Sequence, residues 1–262
     1  VSASGSITIN DGTSPANSIG INADGSGDVS LTASEGNVNL VADIVSASGS
    51  ITILADDVTQ SSGGDIITGG TGEIVVTAES GNITMTSGST AVTETGVITY
   101  QAVGNVSISR LISTSADISV EAGMGIVGTG AIYDNLASES ANVSTTGALT
   151  LNAKSGIGDT EEGDIDIAVL SITGTNEVSG NIVIQESDGL IVNGLMTSDG
   201  DGSISLTVTS GSLVVDGSVS ANGAGDIRIR TNSGAGTLTI SEAVVTETGH
   251  VDIDAAGLIS LT

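Results

Sequence analysis

Cysteine is absent from this chain of 262 residues, so it can hold neither a disulfide framework nor a thiolate metal site. That absence is neutral on compartment. Phe and Trp are absent as well, and Tyr100 and Tyr133 are the only aromatic residues. An ordinary globular chain of this length would form one large or two smaller domains around broad cores. Here the interior must be thin and uniform, built from Val, Ile, Leu and Ala. Proline occurs once, at Pro15, whereas a disordered or linker-like chain would carry more proline and fewer β-branched residues. No apolar run reaches the roughly 18 residues that a membrane span needs, and no charged segment precedes an apolar stretch in the manner of a signal peptide. Membrane insertion is therefore not expected. A lone His250 excludes a zinc site built from histidines.

Positive charge is the scarcest property. Arg110, Lys154, Arg228 and Arg230 face 31 acidic residues, for a formal net charge of −27, and the first 109 residues hold 11 Asp or Glu and no Lys or Arg. Phosphate would be repelled, which excludes nucleic acid as a partner. The surplus suits divalent cations, salty surroundings, or simply solubility.

What is present is a repeat. The stretch VSASGSITI occurs at Val1 to Ile9 and again at Val45 to Ile53, an interval read as two turns. A Gly or Ala, a small polar residue and an alternating apolar run recur at GSITIN from Gly5, GDVSLTA from Gly27, GSITILA from Gly49, GEIVVTA from Gly72, GVITYQA from Gly96 and ADISVEA from Ala116. The series resumes at GNIVIQE from Gly180, GSISLTV from Gly202, GDIRIRT from Gly225 and GHVDIDA from Gly249, with most members 20 to 24 residues apart. Period-two alternation marks half-buried strands. A second series follows in many turns, at Gly36, Gly81, Gly104, Gly211 and Gly257, and a shorter third element (IVSAS at Ile44, VTQSS at Val58, VTETG at Val92) precedes the next turn.

Three short strands per turn of about 22 residues predict an all-β parallel β-helix, a β-solenoid of 11–12 turns and roughly 55 Å. Residues 1–262 form one continuous segment, with irregular turns or projecting loops within 125–180. The chain lacks an initiator Met and both ends stop within the pattern, so it reads as a fragment of a longer array, its caps lying outside or supplied by neighbouring copies.

Two stretches carry a resemblance: SGIGDTEEGDIDIAVLSITGTNEVSGNIVIQESDGLIVNG from Ser155 and AGMGIVGTGAIYDNLASESANVSTTGALTLNA from Ala122. They resemble the repeats of very large bacterial exoproteins related to filamentous haemagglutinin. The resemblance implies a right-handed β-helix in a secreted or surface-attached protein that works in adhesion, matrix or filament formation, without catalytic residues. Its partners would be other copies of itself, end to end or side by side, neighbouring repeats, glycans or other cell surfaces. A tandem calcium-binding nonapeptide array is missing, although GGDII at Gly63 and GAGDIRI at Gly223 echo fragments of one.

The densest acidic cluster is Asp159, Glu161, Glu162, Asp164 and Asp166. Hard oxygen ligands converging from a loop suit Ca²⁺, and alternation puts Asp164 and Asp166 on one side of a strand, but a solvated acidic loop has the same composition. The pairs Asp56/Asp57 and Asp199/Asp201 read as turn residues. Asp28, Asp65, Asp117, Asp164 and Asp226 all precede the first apolar residue of a strand and are expected in one place, diluted by other residues. A β-helix polysaccharide-active enzyme or a calcium-dependent glycan-binding module is the alternative. An enzyme would need a base beside acids in a groove, and sugar sites use aromatic platforms, for which this chain offers little. Arg228 and Arg230 are expected to pair with Asp226. An ice-binding row through Thr8, Ser30, Thr52, Val75, Thr99, Ser119, Val183, Ser205, Arg228 and Asp252 is too broken to match a lattice. Tyr100 is expected to fill a wide section of core and Tyr133 to pack an irregular loop against the rod.

Overall fold

The computed structural model describes residues 1–12, 18–125, 129–158, 163–232 and 236–262. All regular elements among them are β-strands. Gly and β-branched residues recur too often for a helix, and no apolar face with a 3.6-residue period survives. Each strand pairs in parallel with its counterpart one turn along, giving a solenoid of about ten turns spaced about 23 residues apart. The turns are fewer than the 11–12 expected because some connections are long: Ser6 meets Asn37, and Asp117 meets Ala148, across 31 positions.

Three columns of inward side chains define three faces. The first runs through Val29, Ile51, Ile74, Ile98, Ile118, Leu149 and Ile172. The third runs through Ile21, Ile44, Ile66, Ala91, Leu111, Val143 and Ile167. The second traces the whole coil, from Ile7 through Val38, Val58, Ile83, Val106, Ile132, Ile157, Ile182, Ile204 and Ile227 to Val251. All of that second column is buried except Val251 in the last turn. Each such side chain contributes roughly 1.5–3 kcal/mol of burial relative to exposure, so stability accumulates along the stack.

The columns correct the expected alignment of the repeat. Strand Val58–Gln60 lies on the second face, and the third-face strand of that turn is Ile66–Thr68. More consequentially, the Gly-led runs divide. Those from Gly27, Gly49, Gly72, Gly96 and Ala116 form the first face, whereas those from Gly5, Gly180, Gly202, Gly225 and Gly249 stack on the second. The two VSASGSITI stretches are therefore not equivalent: Ile7 pairs with Val38 on the second face, and Ile51 with Val29 on the first. All three faces ask for the same pattern, apolar inward and small polar outward, so identical segments fit either place and connection lengths decide between them.

The phase changes in the stretch read as irregular. Strands Val143–Ala153 and Ile165–Asn176 run from the third face onto the first without ending, and strand Ile182–Glu186 then enters the second face through the Ile157–Ile182 bridge.

Local chemistry explains the corner that opens many of the Gly-led runs. A Cβ on Gly96 would lie 1.8 Å from the carbonyl oxygen of Gly72, and one on Gly225 would lie 2.1 Å from that of Gly202, so these positions are closed to any larger residue. Beside them sits a buried hydroxyl. Thr68 donates to the Gly49 carbonyl at 2.7 Å and Thr93 to that of Gly72 at 2.8 Å, while Thr93 Oγ1 also accepts from the Gly96 N–H at 3.1 Å. Thr246 repeats the arrangement on Gly225 at 2.7 Å after the phase change. Tyr100 does fill the core: it is buried, and its hydroxyl donates to Gln60 Oε1 at 3.0 Å, while Gln60 Nε2 donates to the Thr90 carbonyl at 2.7 Å.

Candidate functional site

Asp164 and Asp166 sit at the start of strand Ile165–Asn176, two positions apart and on the same side, opposite the core residues Ile165 and Ile167. Outward residues of a solenoid are normally exposed, yet these two are only 7% and 6% accessible. The connection that follows strand Ile132–Asp134 covers them and brings in Glu139, whose carboxylate oxygen lies within 4.8 Å of one from each aspartate. Buried Asn142 ties the parts together: its Oδ1 accepts from the Asp166 N–H at 2.9 Å, and its amide donates to the Ser109 carbonyl at 3.2 Å and to Asp134. Asp166 Oδ1 accepts from Gln185 Nε2 at 2.9 Å. Among the described residues the Asp164 carboxylate meets no donor but its own backbone N–H.

Burial first, and then the negative charge of Asp166, Glu139 and Asp134, raises the Asp164 carboxyl to about 7. Asp166 is raised by the same burial, opposed by the Gln185 hydrogen bond. None of the four basic residues contributes at either position. Of the expected cluster, then, Asp164 and Asp166 converge, and Asp159, Glu161 and Glu162 lie outside the described residues. Glu139 was not foreseeable, because only the register that sets Asn142 beside Asp166 brings it near.

A second buried carboxylate stands close by. Glu186 occupies the strand-end place held by Ala55, Ala78 and Ala102 in regular turns, with no exposed surface. It accepts hydrogen bonds from the N–H groups of Val169, Ser187 and Asp188, at 3.2, 2.7 and 3.0 Å, and burial pushes it up to about 7. Next to it Thr145, Ala168, Leu170 and Asp188 line a groove of about 420 Å³.

Several other acidic residues serve the backbone. Of the residues expected to bond local backbone in turns, Asp199 does so, accepting from the Gly200 N–H at 2.8 Å, whereas Asp57 and Asp201 reach one turn along, to the N–H groups of Asn82 at 2.8 Å and Ala224 at 2.9 Å. Asp28, Asp117 and Asp226 each accept from the N–H of the following turn, at Ser50, Ala148 and His250. They do not share one place with Asp65 and Asp164: Asp65 begins a third-face strand and receives the Thr90 N–H, and Asp164 lies in the cluster above. Arg228 pairs with Asp252 at 3.4 Å, not with Asp226, because the residue stacked on it in the next turn is nearer than its neighbour along the strand. Lys154 pairs with Glu177. Tyr133 belongs to strand Ile132–Asp134, stacked on Ser107 and 38% exposed, and not to a loop.

Outward rows also regroup. On the first face the row reads Ser30, Thr52, Val75, Thr99, Ser119, Thr150 and Thr173, but the row beside it contains Leu54, Gln101 and Glu121, which breaks any flat array. On the third face Val45, Ile67, Val92 and Ile112 stack into a half-buried aliphatic ridge that points away from the core and continues to Ser144 and Ala168. No family model matches the chain, and neither a curated protein nor a solved structure matches it.

Proposed function

We propose that this chain is a non-catalytic, rod-like segment of a secreted or surface-attached protein that works through its long faces, in adhesion or in matrix or filament assembly. The observation that carries the reading is the third-face ridge of Val45, Ile67, Val92 and Ile112. Four stacked β-branched side chains outside the core serve no inward packing, and they form a continuous apolar line on a molecule whose other outward rows are largely Ser, Thr and charged residues. A line of this shape suits side-by-side contact with another copy. The net charge of −27 opposes such contact at low salt, so association should strengthen with ionic strength. The likeness to haemagglutinin-type exoprotein repeats points the same way, and glycans or other cell surfaces remain the partners it suggests.

The test is light scattering and electron microscopy of the purified chain across salt and Ca²⁺ concentrations, beside the double variant Ile67→Asp, Val92→Asp. Lateral pairs or bundles that form at moderate salt and disappear in the variant are expected. Isolated single rods of the parent chain under every condition, together with no binding to cells or to a glycan panel, would overturn the reading.

A further inference from the structure

We propose that Glu139, Asp164 and Asp166 form a binding site for one hard divalent cation, Ca²⁺ by preference, which clamps the connection 135–142 onto the start of strand Ile165–Asn176. This goes beyond the rod reading and stands whether or not the rod adheres to anything. Three carboxylate oxygens within 4.8 Å of one another supply the ligand type and the span that such an ion takes. Acidic groups gather on many surfaces without an ion, and what distinguishes this group is Asp164. Its residue is only 7% exposed, its carboxylate lies within 4.8 Å of the other two, and among the described residues no side chain or neighbouring backbone group hydrogen-bonds to it.

A carboxylate taken out of water needs compensation from a donor, a counter-charge or a proton. Other buried carboxylates in this molecule have donors: Glu186 receives three backbone N–H groups and Asp166 the Gln185 amide. Among the described residues Asp164 has none of these, and the charged groups that act on it (Asp166, Glu139 and Asp134) are negative. The arrangement is completed either by a metal ion or by a proton on Asp164. The ligand set favours calcium over its competitors. All three groups are carboxylates, which disfavours zinc in a chain without cysteine and with a single histidine far along the sequence. Asp166 comes from strand Ile165–Asn176, Asp164 from the residue before it and Glu139 from an exposed connection, an irregular ligand set that suits the tolerant geometry of Ca²⁺ better than the strict octahedron of Mg²⁺.

Isothermal titration of the full chain with CaCl₂ at mildly alkaline pH tests the site, with MgCl₂ as comparator. One saturable Ca²⁺ per chain is expected above the diffuse attraction of an acidic protein, with Mg²⁺ weaker. Asp164→Asn and Glu139→Gln should each lower the affinity at least roughly tenfold. The control Asp199→Asn, Asp201→Asn should leave it unchanged. Glu139 is exposed, so Glu139→Gln will fold as the parent does and keeps the test meaningful if Asp164→Asn alters folding. The melting temperature should rise with Ca²⁺ in the parent and in the control, and not in Asp164→Asn. Absence of a saturable site, or saturable binding unaffected by both Asp164→Asn and Glu139→Gln, would overturn the proposal and leave a proton as the compensating charge.

Discussion

Two carboxyls make the stability of this rod depend on pH in a direction opposite to that of most proteins. Asp164 and Glu186 are both raised to about 7, chiefly by burial, from ordinary values of 3.8 and 4.5. In that window the folded chain holds protons that the unfolded chain has released. Stability is therefore fully present below the unfolded values and is lost as pH rises through about 7, after which it levels. Thermal melts in chelator should show the melting temperature falling between about pH 4.5 and 7 by several degrees. Glu186→Gln, which removes the titrating group, should remove part of that slope. A melting temperature that is flat or rising across the window in the parent chain would show that these carboxyls are not buried as described. Saturating Ca²⁺ should also reduce the slope in the parent, because the ion competes with the proton at Asp164.

The strands owe their placement to corners more than to their own sequences. Several Gly-led runs arrive with a Ser or Thr hydroxyl, a glycine under the carbonyl of the previous turn, and a strand; Thr93, Gly96 and Ile98–Ala102 are one such set and Thr246, Gly249 and Val251–Ala255 another. The set moves as a unit from the first face to the second. Thr93→Val keeps the volume and deletes the hydroxyl, leaving the Gly72 carbonyl and the Gly96 N–H unpaired in the interior, at a cost of about 1–3 kcal/mol. Thr93→Ser should cost much less, since Ser46 and Ser113 make the equivalent bonds. Gly96→Ala should exceed both, because the added methyl meets backbone that has nowhere to retreat. Chemical denaturation midpoints of the three variants give the order, and a Thr93→Val as stable as Thr93→Ser would refute the role of the hydroxyl. These corners also mark how far sequence reading reaches. Alternation and spacing reveal strands, parallel stacking and a uniform core because those follow from side-chain period and residue size. They do not reveal which strand stacks on which. Gly5 and Gly49 open the same GSITI phrase on different faces, and nothing within the phrase distinguishes them. The same ambiguity hid the candidate cation site: Asp164 and Asp166 were visible as an alternating pair, but Glu139 joins them only through the pairing of third-face strands. The aliphatic ridge was hidden likewise, since Val45, Ile67, Val92 and Ile112 align only when the third strands are correctly assigned.

A solenoid in which each turn touches only its neighbours should tolerate the loss of a whole turn and not of part of one. Residues 204–226 constitute such a turn, because Ile204, Leu213 and Val219 stand between Ile182 and Ile227, Leu190 and Leu238, and Leu195 and Val244 on their respective columns. Removing 204–226 joins Ser203 to Ile227 and brings each of these pairs together. Asn181 keeps its bond to the Ser203 N–H, and Thr197 keeps its bond to the Gly202 carbonyl. The shortened chain should fold, retain a β-type circular dichroism spectrum, and melt in one transition a few degrees lower, having lost one turn's share of burial. Removing only 204–215 shortens the coil by about half a turn, so strand Val219–Ala221 arrives on the wrong face and each later residue meets a column meant for another. That variant should lose the cooperative unfolding of its C-terminal turns. Comparable stability in the two deletions would mean that the turns are not independent stacking units, and that the register of the columns, from Ile7 to Val251, is not what holds this molecule together.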